Sequence, residues 1–557
     1  MKAKKLLCLL IAACMTIVTF GGCTGIGGGG DDNSNKTEFK VGNLLSGYGD
    51  TWLKSLKEEF EKMYANYEFE DGKKGVNVVI DNRDQEFTEG ALLSSMSEYK
   101  NDVYYVSDIY NQRAFVTQNL IFDTTEWVTT DIYDENGDIA SYTGLPATQS
   151  ILDTMYDGWE KHFNLGTETA PLYYGMPWRV SFGGIIYDAD LFNKKALYFD
   201  DFGEVGSTAS DSLGVGPDGK PNTSDDGMPE TWGDFKILLE EMLVKGVTPF
   251  VWSGSLSYQR QAAFYHIVAN YEGYDDFMLN FTFKGEDSDF GPIDDSNAYL
   301  LRGQQGKKAG LQAFKDIVAK PEYYHSSSFG SSDHKGAEKT FIESSYATDG
   351  TKPIAMLMEG GWWEQESREY ADALALFNPE LAYGMRNFRL LPIPRFEGVN
   401  GIDDQTNTEN VLFGRGAHSM ELVWAGSSKL NVARKWFEYV HSRDGLSIFT
   451  RDTSAFRPFN FTAKEERFAE FTQFTKSIYT YIEEGARLVY DLNVSNIRVN
   501  NAETFNQFIT TFTGKNGITY YEPASAFRAN SNWSVSDVFE AYKNSQFTQD
   551  GWGVYIQ

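Results

Sequence analysis

Phe39–Ile80 reads FKVGNLLSGYGDTWLKSLKEEFEKMYANYEFEDGKKGVNVVI. Phe39 to Asn43 reads as a strand. Asp50 or Thr51 stands where a helix cap belongs, and Trp52, Leu53, Leu56, Phe60, Met63 and Tyr64 then recur at helical spacing. Gly72 and Gly75 bound a turn, and Val76 to Ile80 is a second strand. Strand, helix, strand opens an α/β unit with a parallel sheet, because parallel neighbours need a crossover between them.

The same grammar continues downstream. Asp102 to Val106 reads as a short strand, and Gly184 to Tyr187 and Ile354 to Met358 as buried ones. Thr231 and Asp234 stand three apart, ahead of Phe235, Leu238, Leu239, Met242 and Leu243, which predicts a capped amphipathic helix. Val432, Ala433, Trp436, Phe437 and Val440 mark another. No repeat and no heptad pattern occurs. Frequent glycine-rich stretches suit an α/β scaffold decorated with long surface loops.

Upstream, Lys2, Lys4 and Lys5 precede an apolar run from Leu6 to Phe20, then Gly21, Gly22 and Cys23. A basic start, a short apolar core and small residues before a cut site mark a secretory signal. The run is shorter than the roughly 20 residues a spanning helix needs. The site resembles a bacterial lipobox through Gly22 and Cys23, with Phe20 where Leu, Val or Ile is usual. That resemblance implies removal of residues 1–22 and acylation of Cys23, in the palmitate class of lipid anchors. Cys8 and Cys14 would leave with the signal, so Cys23 would be the mature chain's single cysteine and no disulfide would form. Residues 23–37, glycine-rich and then Asp/Asn/Ser-rich, read as a flexible tether.

About 520 residues follow, enough for two large domains. Formal net charge is −30, and loss of the three signal lysines makes it −30 − 3 = −33. So acidic a chain repels phosphate backbones and anionic lipid heads, which argues against nucleic acid as a partner.

Several segments, in order, are similar to those of the extracellular solute-binding lipoproteins of bacterial ABC importers, the maltose- and oligosaccharide-binding group. They are Ser107–Trp127 (SDIYNQRAFVTQNLIFDTTEW), Met176–Phe192 (MPWRVSFGGIIYDADLF), Ala355–Trp363 (AMLMEGGWW), Leu391–Arg395 (LPIPR) and Leu430–Gly445 (LNVARKWFEYVHSRDG). The resemblance runs from about Glu38 to Pro458. It implies a two-lobed, periplasmic-binding-protein-like α/β fold with hinge crossings and a central ligand cleft. Lobe 1 would be 38–180 plus about 417–490, and lobe 2 about 185–412 plus 491–557. Crossings would lie near Trp178 to Gly184, near Phe413 to Met420 and after Arg457. It further implies a monomer on the extracytoplasmic face of the cell membrane, passing a carbohydrate to ABC permease subunits.

A sugar site needs aromatic platforms and hydrogen-bonding side chains. On the family pattern Trp178, Trp252, Trp362, Trp363 and Trp424 are candidate platforms, with Trp362 or Trp363 foremost. Arg179, Glu359 and Arg457 are candidate polar contacts; for each residue the alternative is core packing or an ion pair. No catalytic residue is expected: the six histidines form no H-E-x-x-H, and there is no G-x-S-x-G. A lipid-anchored carbohydrate-active enzyme and a surface glycan-binding protein without a permease remain the alternatives. Gly214, Gly216 and Gly219 match G-x-G-x-x-G, but Pro217 and Lys220-Pro221 exclude a helix there. No cofactor is required. The loop Asp218–Glu230, DGKPNTSDDGMPE, partly resembles a calcium loop through Asn222, Ser224, Asp226 and Glu230, with Gly233 where the bidentate acid belongs.

Overall fold

The computed structural model describes residues 35–491, apart from 108, 257, 348 and 349; beyond 491 it describes 512–514, 516–520, 523–543 and 549–554. The signal, Cys23 and most of the expected tether lie outside the described residues. The chain opens with β1 (Thr37–Leu44), α1 (Thr51–Met63), β2 (Val76–Arg83) and β3 (Val103–Val106). β1 pairs in parallel with both β2 and β3. α1 buries Trp52, Leu53, Leu56 and Phe60, the stripe its spacing predicts. Asp50 holds the N-cap position but makes no cap hydrogen bond. Its carboxylate instead accepts from Asn82 (2.8 Å) and pairs with Lys54 (2.8 Å).

β4 (Met176–Pro177), β5 (Ser181–Phe182) and β6 (Gly184–Asp188) follow. α2 (Trp232–Val244) starts on the expected Thr231/Asp234 capping box. Then come β7 (Thr248–Trp252), α3 (His334–Ser344), β8 (Ile354–Glu359), α4 (Trp363–Glu366) and β9 (Phe388–Leu390). The last part of the scaffold is β10 (Val411–Arg415), β11 (Met420–Val423), α5 (Leu430–Val440), α6 (Arg443–Thr453), α7 (Gln473–Glu483) and β12 (Arg487–Tyr490).

Two principal sheets result. The first has order β2-β1-β3-β11-β4, the second β9-β6-β8-β7, and a smaller sheet β12-β10-β5 stands at their junction. Three stretches join the main sheets: 178–183, 416–419, and the segment after α6, whose Phe456 bridges Val180. α5 and α6 cover the first sheet. Trp436 packs against Phe60 (5.1 Å between centroids), and Arg451 donates to Ser55 (3.0 Å). α7 stands with the second sheet instead. Leu390 N–H donates to Ser477 (3.1 Å), and Phe474 packs on Trp363 (5.7 Å). The chain therefore crosses before residue 473, earlier than a first lobe reaching 490 requires. Beyond 491, Arg302 of the second lobe donates to Tyr542 O (2.9 Å). Among the described residues no helix is long and apolar enough to cross a membrane.

Candidate functional site: the junction between the sheets

Open α/β sheets bind ligands beyond the carboxyl ends of their strands. In the first sheet those ends are Leu44, Arg83, Val106 and Pro177; Met420, the start of antiparallel β11, pairs with both Val106 and Pro177. In the second they are Trp252, Glu359 and Leu390, and Gly184, the start of β6, pairs with Glu359. The crossing 178–183 thus runs from one set of carboxyl ends to the other. The backbones touch there. A Cβ on Gly183 would sit 2.6 Å from Gly361 N, and one on Gly361 2.5 Å from Ser181 Oγ.

The first-lobe wall centres on Arg179. Its guanidinium donates to three hydroxyls, Ser46 (2.9 Å), Ser107 (2.5 Å) and Ser419 (2.8 Å). It also lies 4.7 Å from the centroid of Tyr48. Each serine follows or precedes a strand at the cleft edge, so strand order converges them. Burial raises the Tyr48 pKa, and the Arg179 charge opposes the shift.

The second-lobe wall follows β8. Trp362 is half-buried, its indole folded over Gly360, so any Cβ on Gly360 would strike it. Glu366 reaches the first lobe: a Cβ on Gly47 would lie 2.8 Å from its Oε1. His334 Nε2 is 3.6 Å from the same Oε1. Gln365 Oε1 and His334 Nδ1 are buried without a hydrogen-bond partner. Burial raises the carboxyl pKa of both Glu338 and Glu366, and the charges of Glu359 and Glu366 push Glu338 well above the usual carboxylate range. The wall therefore carries acceptors, a buried carboxyl whose pKa is raised, and one aromatic face. Such a set suits hydroxyl groups.

Of the eight residues predicted to touch ligand, the structure brings Arg179, Trp362 and Glu359 to this junction. Glu359 is wholly buried, and its Oε1 accepts from Gly360 N–H (2.8 Å). Trp178 is a core residue: fully buried, stacked on Trp52 (5.3 Å, 18°), and donating to Val106 O (2.8 Å). Trp252 stands at the correct strand end but is 1% exposed, between Tyr324 and Phe329. Trp363 is fully buried among Phe341, Phe388 and Phe474. Trp424 is half-buried at the opposite edge of the first sheet. β11 runs antiparallel, so its end lies by Asp102, where the parallel strands begin; Trp424 N–H donates to Asp102 O (3.0 Å). Arg457 is fully buried and paired with Glu421 (2.9 Å). Burial and the Arg457 charge drive the pKa of neighbouring His441 well down, leaving it neutral.

Ser46, Tyr48, Ser107, Ser419, His334, Glu338, Gln365 and Glu366 escaped the sequence reading. The strand-end rule, applied to the loop after β1, points to Ser46 and Tyr48. Nothing in the sequence brings α3 to this edge.

The loop Asp218–Glu230 uses its oxygens internally. Asp225 accepts from Asp218 N–H (3.0 Å) and Thr223 Oγ1 (2.8 Å), and Asp226 from Asn222 N–H (2.8 Å). Among the described residues no cluster of three or more His, Cys, Asp or Glu is arranged to hold a metal. The carboxylates of Asp225 and Asp226 are thus taken up in Asx turns within the loop.

Residues 46–442 match the family model for the bacterial extracellular solute-binding protein. No curated protein matches the sequence closely enough to count as a relative. Among solved structures, apo RafE from Streptococcus pneumoniae superposes with TM-score 0.52 at 12% identity, over 94% of this chain and 99% of that one. A probable secreted solute-binding lipoprotein from Streptomyces coelicolor gives 0.51 at 11%, over 92% and 100%. The cyclic alpha-maltosyl-1,6-maltose binding protein from Arthrobacter globiformis gives 0.50 at 12%, over 93% and 99%. At such identity the likeness is one of fold, two α/β lobes as in periplasmic binding proteins.

Proposed function

The chain belongs to the bacterial extracellular solute-binding proteins, binders rather than enzymes, and from that premise we propose that it captures a carbohydrate, in particular an oligosaccharide, between its two sheets. The observation that carries this is the facing of both sets of strand ends across 178–183, with Trp362 and Arg179 on opposite walls. Trp362 would supply the stacking face. Arg179, the serine hydroxyls, Gln365 and Glu338 would meet the hydroxyl rim. A fold neighbour named for binding a cyclic maltosyl-maltose supports the ligand class. Hinge closure would trap the sugar, and an ABC import permease would receive it.

We also propose that Cys23 is lipidated and tethers the protein to the outer face of the membrane. Cys23→Ala should release a soluble, ligand-competent protein; one that stays with the membrane overturns the anchor. The ligand class is tested by thermal shift against an oligosaccharide panel. Ligand at about 100 times its Kd stabilises by about 2.7 kcal/mol. A panel that leaves the melting temperature unmoved, beside a peptide or other solute that raises it, refutes the carbohydrate reading.

A further inference from the structure

Side chains alternate along the crossing 178–183. Arg179 and Ser181 face the cleft, toward Ser46 and Gly361. Val180 and Phe182 point the other way, against the position a Gly414 Cβ would take, and Phe182 packs on Phe456 (5.7 Å). Phe456 in turn lines a cavity of about 550 Å³. The cavity therefore lies behind the hinge, on the opposite side from the cleft.

Both lobes build it. One wall is the loop carrying Asn136 and Gln149, fixed to the first lobe where Arg443 N–H donates to Gly137 O (2.8 Å). The other is the end of α7, which rides on the second sheet and presents Tyr479 and Glu483. Tyr156 and Phe461 complete the aromatic lining. The side chains of Asn136 and Gln149 make no hydrogen bond among the described residues, while their backbones hold the loop. Arg443, the cation of the lining, is committed to Thr462 O (2.6 Å) and Asp138 (3.5 Å). Glu135, Asp153 and Glu483 add negative charge. Of the rings only Phe461 is more than slightly exposed, and with it the open amides and acidic groups suit a neutral ring bearing hydroxyls and repel an anion.

We propose that this cavity is a second binding site, for a single neutral sugar unit, shared by both lobes behind the hinge. It rests on the chain being a carbohydrate binder. Its volume falls in the range of small-ligand sites, about 300–1,000 Å³. Residues of both lobes line it, so an occupant bridges them behind the hinge.

The test counts sugars bound per chain by equilibrium dialysis, using glucose, raffinose and N-acetylglucosamine with the full mature protein in detergent. Asn136→Trp and Gln149→Trp each add bulk to the cavity wall, and unchanged melting temperatures verify their folding; Trp362→Ala alters the cleft. Two sugars on wild type, falling to one in either cavity variant, is the expected result. A single sugar lost in the cavity variants but kept in Trp362→Ala also supports the rear site and counts against the cleft. A single sugar lost only in Trp362→Ala overturns the inference and leaves the proposed function standing. No binding by any of the three sugars overturns it as well.

Discussion

Trp362 and Trp363 are neighbours in sequence with opposite surroundings. Trp363 fills the space between Phe341, Phe388 and Phe474, while Trp362 is half-buried and lies over Gly360. Trp363→Ala should cost about 3–5 kcal/mol of stability, read by denaturant titration, because a large cavity remains in a packed core. Trp362→Ala should leave the melting temperature nearly unchanged and weaken sugar binding about tenfold, the loss of about 1.4 kcal/mol from one stacked face. Trp424→Ala, at the far edge of the first sheet, should leave affinity as it is. The sequence offers all three tryptophans as platforms, with Trp362 or Trp363 foremost, and does not divide that pair. What separates them is where a strand ends and which way it runs, and periodicity carries neither at single-residue resolution. Arg457 shows the same gap, since a polar residue at a crossing looks available until Glu421, 36 positions away, is found beside it.

At the scale of elements the sequence was more informative. β1, α1, β2, β3, the capped α2 and the stripe of α5 all form where hydrophobic period and capping residues put them. The joints between elements were less legible, because they depend on contacts between distant segments. Glu364 on α4 is one such joint: it accepts from Ser454 (3.0 Å) after α6 and Thr472 (2.6 Å) before α7, and holds the third crossing. Burial raises its pKa from the ordinary 4.5 to about 7. The folded state therefore keeps a proton that the unfolded chain gives up. This stabilisation is fully present below pH 4.5 and is lost as pH rises through about 7. The loss is on the order of 3 kcal/mol. Glu364→Gln keeps the acceptor and cannot ionise. Its melting temperature should fall less than that of wild type between pH 5 and pH 8, and parallel curves would refute the assignment.

For the whole molecule, the approach of Gly183 and Gly361 sets how the lobes meet. Gly361→Ala places a methyl against Ser181 and the Phe182 backbone. It should cost about 1–3 kcal/mol as overpacking and increase the radius of gyration measured by small-angle scattering, since the junction has to open. The order of the first sheet bears on how the molecule comes into being. β11 sits between β3 and β4, and its Glu421, opposite Tyr105, comes 316 residues later in the chain. At a synthesis rate of about 5–20 residues per second, the wholly buried edge Val103–Val106 waits roughly a quarter of a minute to a minute for its neighbour. Until β11 arrives the first lobe carries an unpaired apolar strand edge. A fragment ending at residue 410 should aggregate where the complete chain stays dispersed, and adding a peptide that spans 411–453 should rescue it. The strand order thus leaves the first sheet incomplete until residues 420–423 are in place.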